Sequence, residues 1–121
     1  MKPISFIATD APAATKSFYK DILGLELVAE NQFALVFLDA EHMLRIQIVP
    51  SLKGAEHTVY GWQVEDIDKT VADLAAKGVM FETFAHLVQN EVGVWQTPDG
   101  SQVAWFRDPA GNVLSVSQFA D

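Results

Sequence analysis

The chain contains no cysteine. Disulfides, thiolate metal sites and cysteine nucleophiles are therefore excluded. Positive charge is scarce: eight Lys and Arg stand against sixteen Asp and Glu, for a net charge of −8. Nucleic-acid binding and attraction to anionic membranes both rest on Lys and Arg, so neither is expected. Long hydrophobic runs are missing too. No apolar stretch among the 121 residues approaches the roughly 20 needed for a membrane span. The opening MKPISFIATD has no signal-peptide cleavage pattern, and a cytoplasmic location is the expectation. No His-Glu-x-x-His or similar metal-binding spacing occurs among the three histidines.

What is present is globular in composition, with 50% hydrophobic and 20% charged residues. The length suits one domain, or two small units sharing a core. The acidic balance is compatible with cationic ligands, although solubility alone would also account for it.

Periodicity divides the chain into two similar halves. ISFIATD (4–10) reads as a strand. Asp10 is placed to cap a helix, Pro12 suits its first turn, and Ala14, Phe18, Ile22 and Leu23 recur at helical spacing. Gly24 is the expected terminator of this helix over 11–23. Strand-like runs follow at 25–30, 33–39 and 43–50. The order then repeats. A strand over 57–66 ends in Asp66, a helix over 67–78 ends in Gly78, and strands are expected at 79–85, 102–108 and 112–118. Residues 86–101 form a longer connection. Two successive βαβββ units are an internal repeat: 1–50 and 57–121, joined by the polar linker 51–56, within a single domain 1–121.

SFYKDILGLEL after a strand ending in Asp, with RDPAGNVLSV near the close of the second unit, resembles the vicinal oxygen chelate superfamily. That superfamily takes in glyoxalase I, extradiol dioxygenases, and the fosfomycin- and bleomycin-resistance proteins. The resemblance implies an α+β fold in which two tandem βαβββ units form curled half-barrel sheets around a cavity. Catalytic members hold a divalent metal there, through His or Gln, Glu, His and Glu on the first and last strands of each unit. The resemblance puts the first ligand seven residues before the strand-terminal Asp, which is Pro3, and its counterpart in the second unit at Val59. The acidic ligands fall at Gln47 and Ser115. None of these is the usual residue, so no metal and no cofactor is expected. His57, beside Glu56, is the nearest alternative ligand, and a surface histidine at a strand start is the competing reading. The chain is closest in character to the metal-free bleomycin-resistance-like members. The implied function is binding of a small molecule, cationic or aromatic, by a homodimer. A glyoxalase-like lyase or isomerase, or a dioxygenase, with a non-standard metal site is the alternative.

Strand parity sorts the expected cavity face. If ligand positions face inward, so do Ser5 and Ile7; Arg45 and Gln47; Gly61 and Gln63; Ser115 and Ser117. Ile4, Phe6 and Ala8 would then lie under the first helix. Two roles suit Arg45: ligand recognition together with Gln47, or an internal salt bridge to Glu82 or Glu91. Trp95 and Trp105 offer a stacking surface for a flat ligand, or ordinary core and dimer packing. The candidate ligand-binding set is Ser5, Arg45, Gln47, Gln63, Trp95, Trp105 and Ser115, with no catalytic residue assigned.

Overall fold

β-Branched and aromatic residues favour an extended chain over Ile4–Thr9, which is strand β1 of the computed structural model; residues 1–120 are described. Helix α1 (Pro12–Ser17) continues into a π-helical turn (Phe18–Ile22), followed by β2 (Glu26–Glu30), β3 (Ala34–Asp39) and β4 (His42–Ile48). These make a four-stranded sheet in the order β1-β4-β3-β2, with β1 parallel to β4 and the remaining pairs antiparallel. The second repeat runs β5 (Thr58–Gln63), α2 (Ile67–Ala76), β6 (Trp95–Gln96), β7 (Gln102–Arg107) and β8 (Val113–Gln118). Its sheet has the matching order β5-β8-β7-β6, with β5 parallel to β8. The fold is α+β, with two unclosed sheets. Residues Met1–Gly54 form one compact unit together with the turn Asp108–Asn112; Ala55–Arg107 and the segment from Val113 form the other.

In each unit one sheet face lies under the helix. In the first, Leu44, Ile46, Phe37 and Tyr19 have no exposed surface, and the Tyr19 and Phe37 rings lie 5.8 Å apart. Burying an aliphatic or aromatic side chain of this size stabilises a fold by about 1.5–3 kcal/mol. A π-type bond from Leu23 N–H to Phe18 C=O (3.0 Å) widens the turn, and consecutive Phe18 and Tyr19 are both buried there. In the second unit, Ile67 and Val71 of α2 are buried, as are Phe106, Leu114 and Val116 of the sheet. Trp62 stacks on Phe106 at 6.3 Å and 11°. Gly24 (φ 75°) and Gly78 (φ 96°) end the helices in the left-handed conformation, as their positions predict.

Three sequence-based expectations give way. Asp66 caps α2, accepting from Lys69 N–H at 3.0 Å, but Asp10 does not cap α1. The N-cap is Ala11, one residue later, with no side-chain cap bond. Asp10 instead accepts from Leu52 N–H at 3.0 Å. The helix start is held by Thr9, whose hydroxyl accepts from Ala11 N–H (2.9 Å) and shares a 2.8 Å bond with Thr15.

That one-residue difference reverses β1. Ile7 and Thr9 lie under the helix, 6% and 0% exposed, while Ile4 and Phe6 are 43% and 56% exposed. A one-residue slip moves every side chain of a strand to the other face. Ser5 therefore shares the helix-covered face, in register with Leu44, and its hydroxyl bonds His42 Nε2 at 2.8 Å.

The strand expected over 79–85 reduces to a single bridge between Phe81 and Phe106. Glu82 N–H still donates to Trp105 C=O at 2.8 Å, but two further backbone groups are met by one side chain instead. Gln89 accepts from Phe84 N–H (2.7 Å) and donates to the carbonyls of Glu82 (2.9 Å) and Gly93 (2.8 Å). The outermost strand of this sheet is Trp95–Gln96, from within the expected connection.

The two motifs that carry the resemblance meet in the first unit. Tyr19 O–H donates to buried Asp108 Oδ2 at 2.7 Å, and Asn112 Nδ2 donates to the same oxygen at 2.9 Å. Asn112 Nδ2 also donates to Ala8 C=O at 2.7 Å, while Asp108 Oδ1 accepts from the N–H groups of Ala110 and Asn112. Gly54 approaches this turn so closely that a Cβ there would lie 2.7 Å from Gly111 O. In the second unit, Thr97 and then Ser101 hydrogen-bond Asp99 at the Pro98–Gly100 turn and hold its carboxyl below the usual carboxylate range.

Candidate functional site

Each sheet has a face turned away from its own helix. In the second unit this open face is set by the register of β5, β8 and β7. Gly61, Ser115 and Trp105 lie side by side across three strands, and Gln63, Ser117 and Val103 form the next row. Ser115 is only 8% exposed because β5 closes over it. A Cβ on Gly61 would stand 2.6 Å from Ser115 Oγ and 2.9 Å from its carbonyl oxygen, so the glycine is a steric requirement. Gly61, Gln63, Ser115 and Ser117, with Thr58 and exposed Phe119, line a shallow cavity of about 330 Å³.

A second cavity of about 260 Å³ adjoins it at Thr58. Its walls are Phe84, Trp105, Leu87 and Val113, with His57, His86 and Glu56 among the polar groups. Trp105 Nε1–H donates to Thr58 Oγ1 at 3.1 Å, which fixes the indole plane. Phe84 meets Trp105 edge-on at 5.4 Å, and Trp95 lies against it at 6.1 Å and 30°. These rings form one aromatic surface, a geometry suited to stacking a planar group. Among the described residues, no three His, Cys, Asp or Glu side chains are grouped to hold a metal.

The open face of the first unit is different. Register places Phe6, Arg45 and Val36 side by side, and Ala8, Gln47 and Ala34 in the next row. Glu82 forms its ion pair with Arg107 (2.8 Å), and Arg45 has no ion pair or hydrogen bond among the described residues.

The family model described as Glyoxalase/Bleomycin resistance protein/Dioxygenase superfamily matches residues 3–116. The chain belongs to this superfamily. It is 34% identical over 114 residues to the uncharacterized protein YraH of Bacillus subtilis, covering 82% of this chain and 83% of that one. Its fold is similar to that of a lactoylglutathione lyase from Agrobacterium tumefaciens, at TM-score 0.73 and 23% identity over 98% and 94% of the two chains. It is likewise similar to the fosfomycin resistance protein FosX from Listeria monocytogenes, solved with Mn(II) and sulfate, at TM-score 0.72, 16% identity, and 99% and 90% coverage. At such identities the two structures speak for the fold alone.

Within this glyoxalase superfamily fold, the candidate residues divide by unit. Gln63 and Ser115 share one cavity, and Trp105 lines the cavity next to it, with Trp95 against its ring. Arg45 and Gln47 lie on the first unit's open face, whereas Ser5 lies under its helix. The interval of seven residues that reaches Pro3 from Asp10 reaches Ile4 when counted from the N-cap at Ala11. Its counterpart Val59 sits at a register irregularity between Thr58 and Tyr60. Sequence reasoning passed over Thr58 as a site residue. Its role depends on that irregularity, which no local pattern announces.

Proposed function

We propose that this chain is a small-molecule-binding protein of the glyoxalase superfamily that works without the divalent metal of catalytic relatives. The observation that carries the reading is Ser115: a buried hydroxyl packed against Gly61 where such relatives place a glutamate. The other equivalent positions hold Ile4, Gln47 and Val59. One amide and one hydroxyl supply no anionic or imidazole donor, and a divalent ion needs such donors to offset its lost hydration. These residues do not fit the metal.

The ligand this site suits is flat and aromatic, stacked on Trp105 with Phe84 at its edge. Glu56 at the rim of the same cavity favours a cationic substituent. Such a protein is expected to act as a cytoplasmic homodimer, which light scattering on purified protein would check. Ligand screening read by tryptophan fluorescence tests the binding reading. Hits should quench, and Trp105→Phe should remove both the signal and most of the affinity. If Trp105→Phe binds every hit as tightly as the parent, the site is elsewhere.

The second reading is a lyase, isomerase or dioxygenase with a non-standard metal site. In its favour, His57, His86 and Glu56 line one cavity. Metal analysis, with thermal shifts against nickel, zinc, manganese and iron, decides between the two. Stoichiometric metal lost on His57→Ala would establish the second reading and remove the first.

A further inference from the structure

Arg45 is the cation of an otherwise apolar neighbourhood. Its register partners on the open face are Phe6 of β1 and Val36 of β3. Met43 and Gln47 flank it along its own strand. It is half-buried, yet it has neither an ion pair nor a hydrogen bond among the described residues. By strand register Glu26 shares this face, in line with Leu38. It stands two strands across and two residues along, ~12 Å from Arg45 by ordinary sheet spacing. No ion pair joins the two among the described residues.

A half-buried guanidinium beside apolar side chains is only partly solvated, so an anion that meets it recovers part of the lost hydration. The surroundings fit a particular kind of anion. Gln47 is exposed between short Ala8, which is half-buried, and Ala34, which is buried, while the Phe6 ring beside Arg45 is 56% exposed. A flat or aliphatic body can lie along Ala8 and the Gln47 stem against the Phe6 ring. Its acid group then meets the two parallel N–H donors of the guanidinium, and the Gln47 amide can donate a third bond.

We infer that the open face of the first unit recognises an organic carboxylate with an apolar body, held by Arg45 and Gln47 against Phe6. This goes beyond the aromatic site of the second unit and does not depend on it. A carboxylate is favoured over a phosphate, because one guanidinium and one amide offset a single negative charge better than two.

The test uses the full chain, labelled with ¹⁵N-arginine and titrated with benzoate, benzamide and benzylamine. Benzoate should move the Arg45 Nε–Hε resonance and bind about tenfold more tightly than benzamide, as loss of a charge-assisted pair implies. Arg45→Met should bring the two affinities together, while Arg45→Lys should keep part of the preference. Trp105→Phe should leave the Arg45 response unchanged, so failure of the aromatic site would not be mistaken for failure here. Equal binding of benzoate and benzamide, binding of neither, or an undiminished preference in Arg45→Met would overturn the inference. So would a change from dimer to monomer in Arg45→Met without benzoate binding, since the face would then be covered by a second copy.

Discussion

The two units share strand order, parallel and antiparallel pairing, and a glycine-terminated helix, yet their open faces have nothing in common. One carries Phe6, Arg45 and Gln47; the other carries Gly61, Ser115 and Trp105. The helix-covered faces are alike in kind, with Leu44, Ile46 and Phe37 matched by Leu114, Val116 and Phe106. Stability constrains the covered face tightly, because each core side chain contributes kilocalories. The open face is freer to change chemistry while the fold persists.

The largest expected effect tests what the first unit has and the second lacks, the buried carboxylate of Asp108. It accepts from Tyr19, from the side chain of Asn112, and from two backbone N–H groups. Asp108→Ala would leave buried donors unmet and should cost about 3 kcal/mol or more in denaturant unfolding. Tyr19→Phe, which removes one donor, should cost about 1–2 kcal/mol. If both variants unfold like the parent, the junction of the two motifs is not what holds this unit.

Next in size is Gly61→Val in the second unit. Its Cβ would meet Ser115 Oγ at 2.6 Å and a carbonyl oxygen at 2.9 Å, and the backbone cannot swing aside as a side chain would. We expect a loss of about 2–3 kcal/mol. Adding Ser115→Ala should recover only part of it, because the carbonyl contact remains. Full recovery would mean that the hydroxyl alone dictates the glycine.

Thr9→Val follows. The hydroxyl is fully buried and serves both Ala11 N–H and Thr15. Losing it should cost about 1–2 kcal/mol, with no equivalent in the second unit, where Val64 occupies the corresponding place before the Asp66 cap.

These cases also mark what the sequence could disclose. The repeat, both helices and most strands were legible because apolar period and glycine stops are local signals. Gln63 could be put on an open face because Asp66 is a true cap and no register irregularity lies between them, and Ser115 because its place follows from the turn at Asn112. Ser5 and the strand over 79–85 were misread for a different reason. Asp10 resembles a cap in composition but bonds Leu52, 42 residues away. Gln89 meets Phe84 N–H and Glu82 C=O with its own amide where a longer strand would have used a partner strand. Both depend on tertiary contacts that propensity does not encode.

The smallest effect is the most direct probe of that misreading. Asp66 and Asp10 each stand at a strand-to-helix junction, and sequence alone treats them alike, although the N-cap that matches Asp66 is Ala11. Asp66→Ala removes an N-cap acceptor from Lys69 N–H and should cost about 1 kcal/mol. Asp10→Ala removes an exposed bond to Leu52 N–H, which water can replace, and should cost about 0.5 kcal/mol or less. Paired denaturant titrations resolve the difference when the slopes match. A converse substitution sharpens it: Ala11→Ser puts a capping hydroxyl where the helix begins, and should stabilise by a few tenths to about 1 kcal/mol. Equal costs for the two aspartates, with no gain from Ala11→Ser, would put the helix start back at Asp10. Phe6 would then return beneath the helix, and Arg45 would lose the apolar ring beside it.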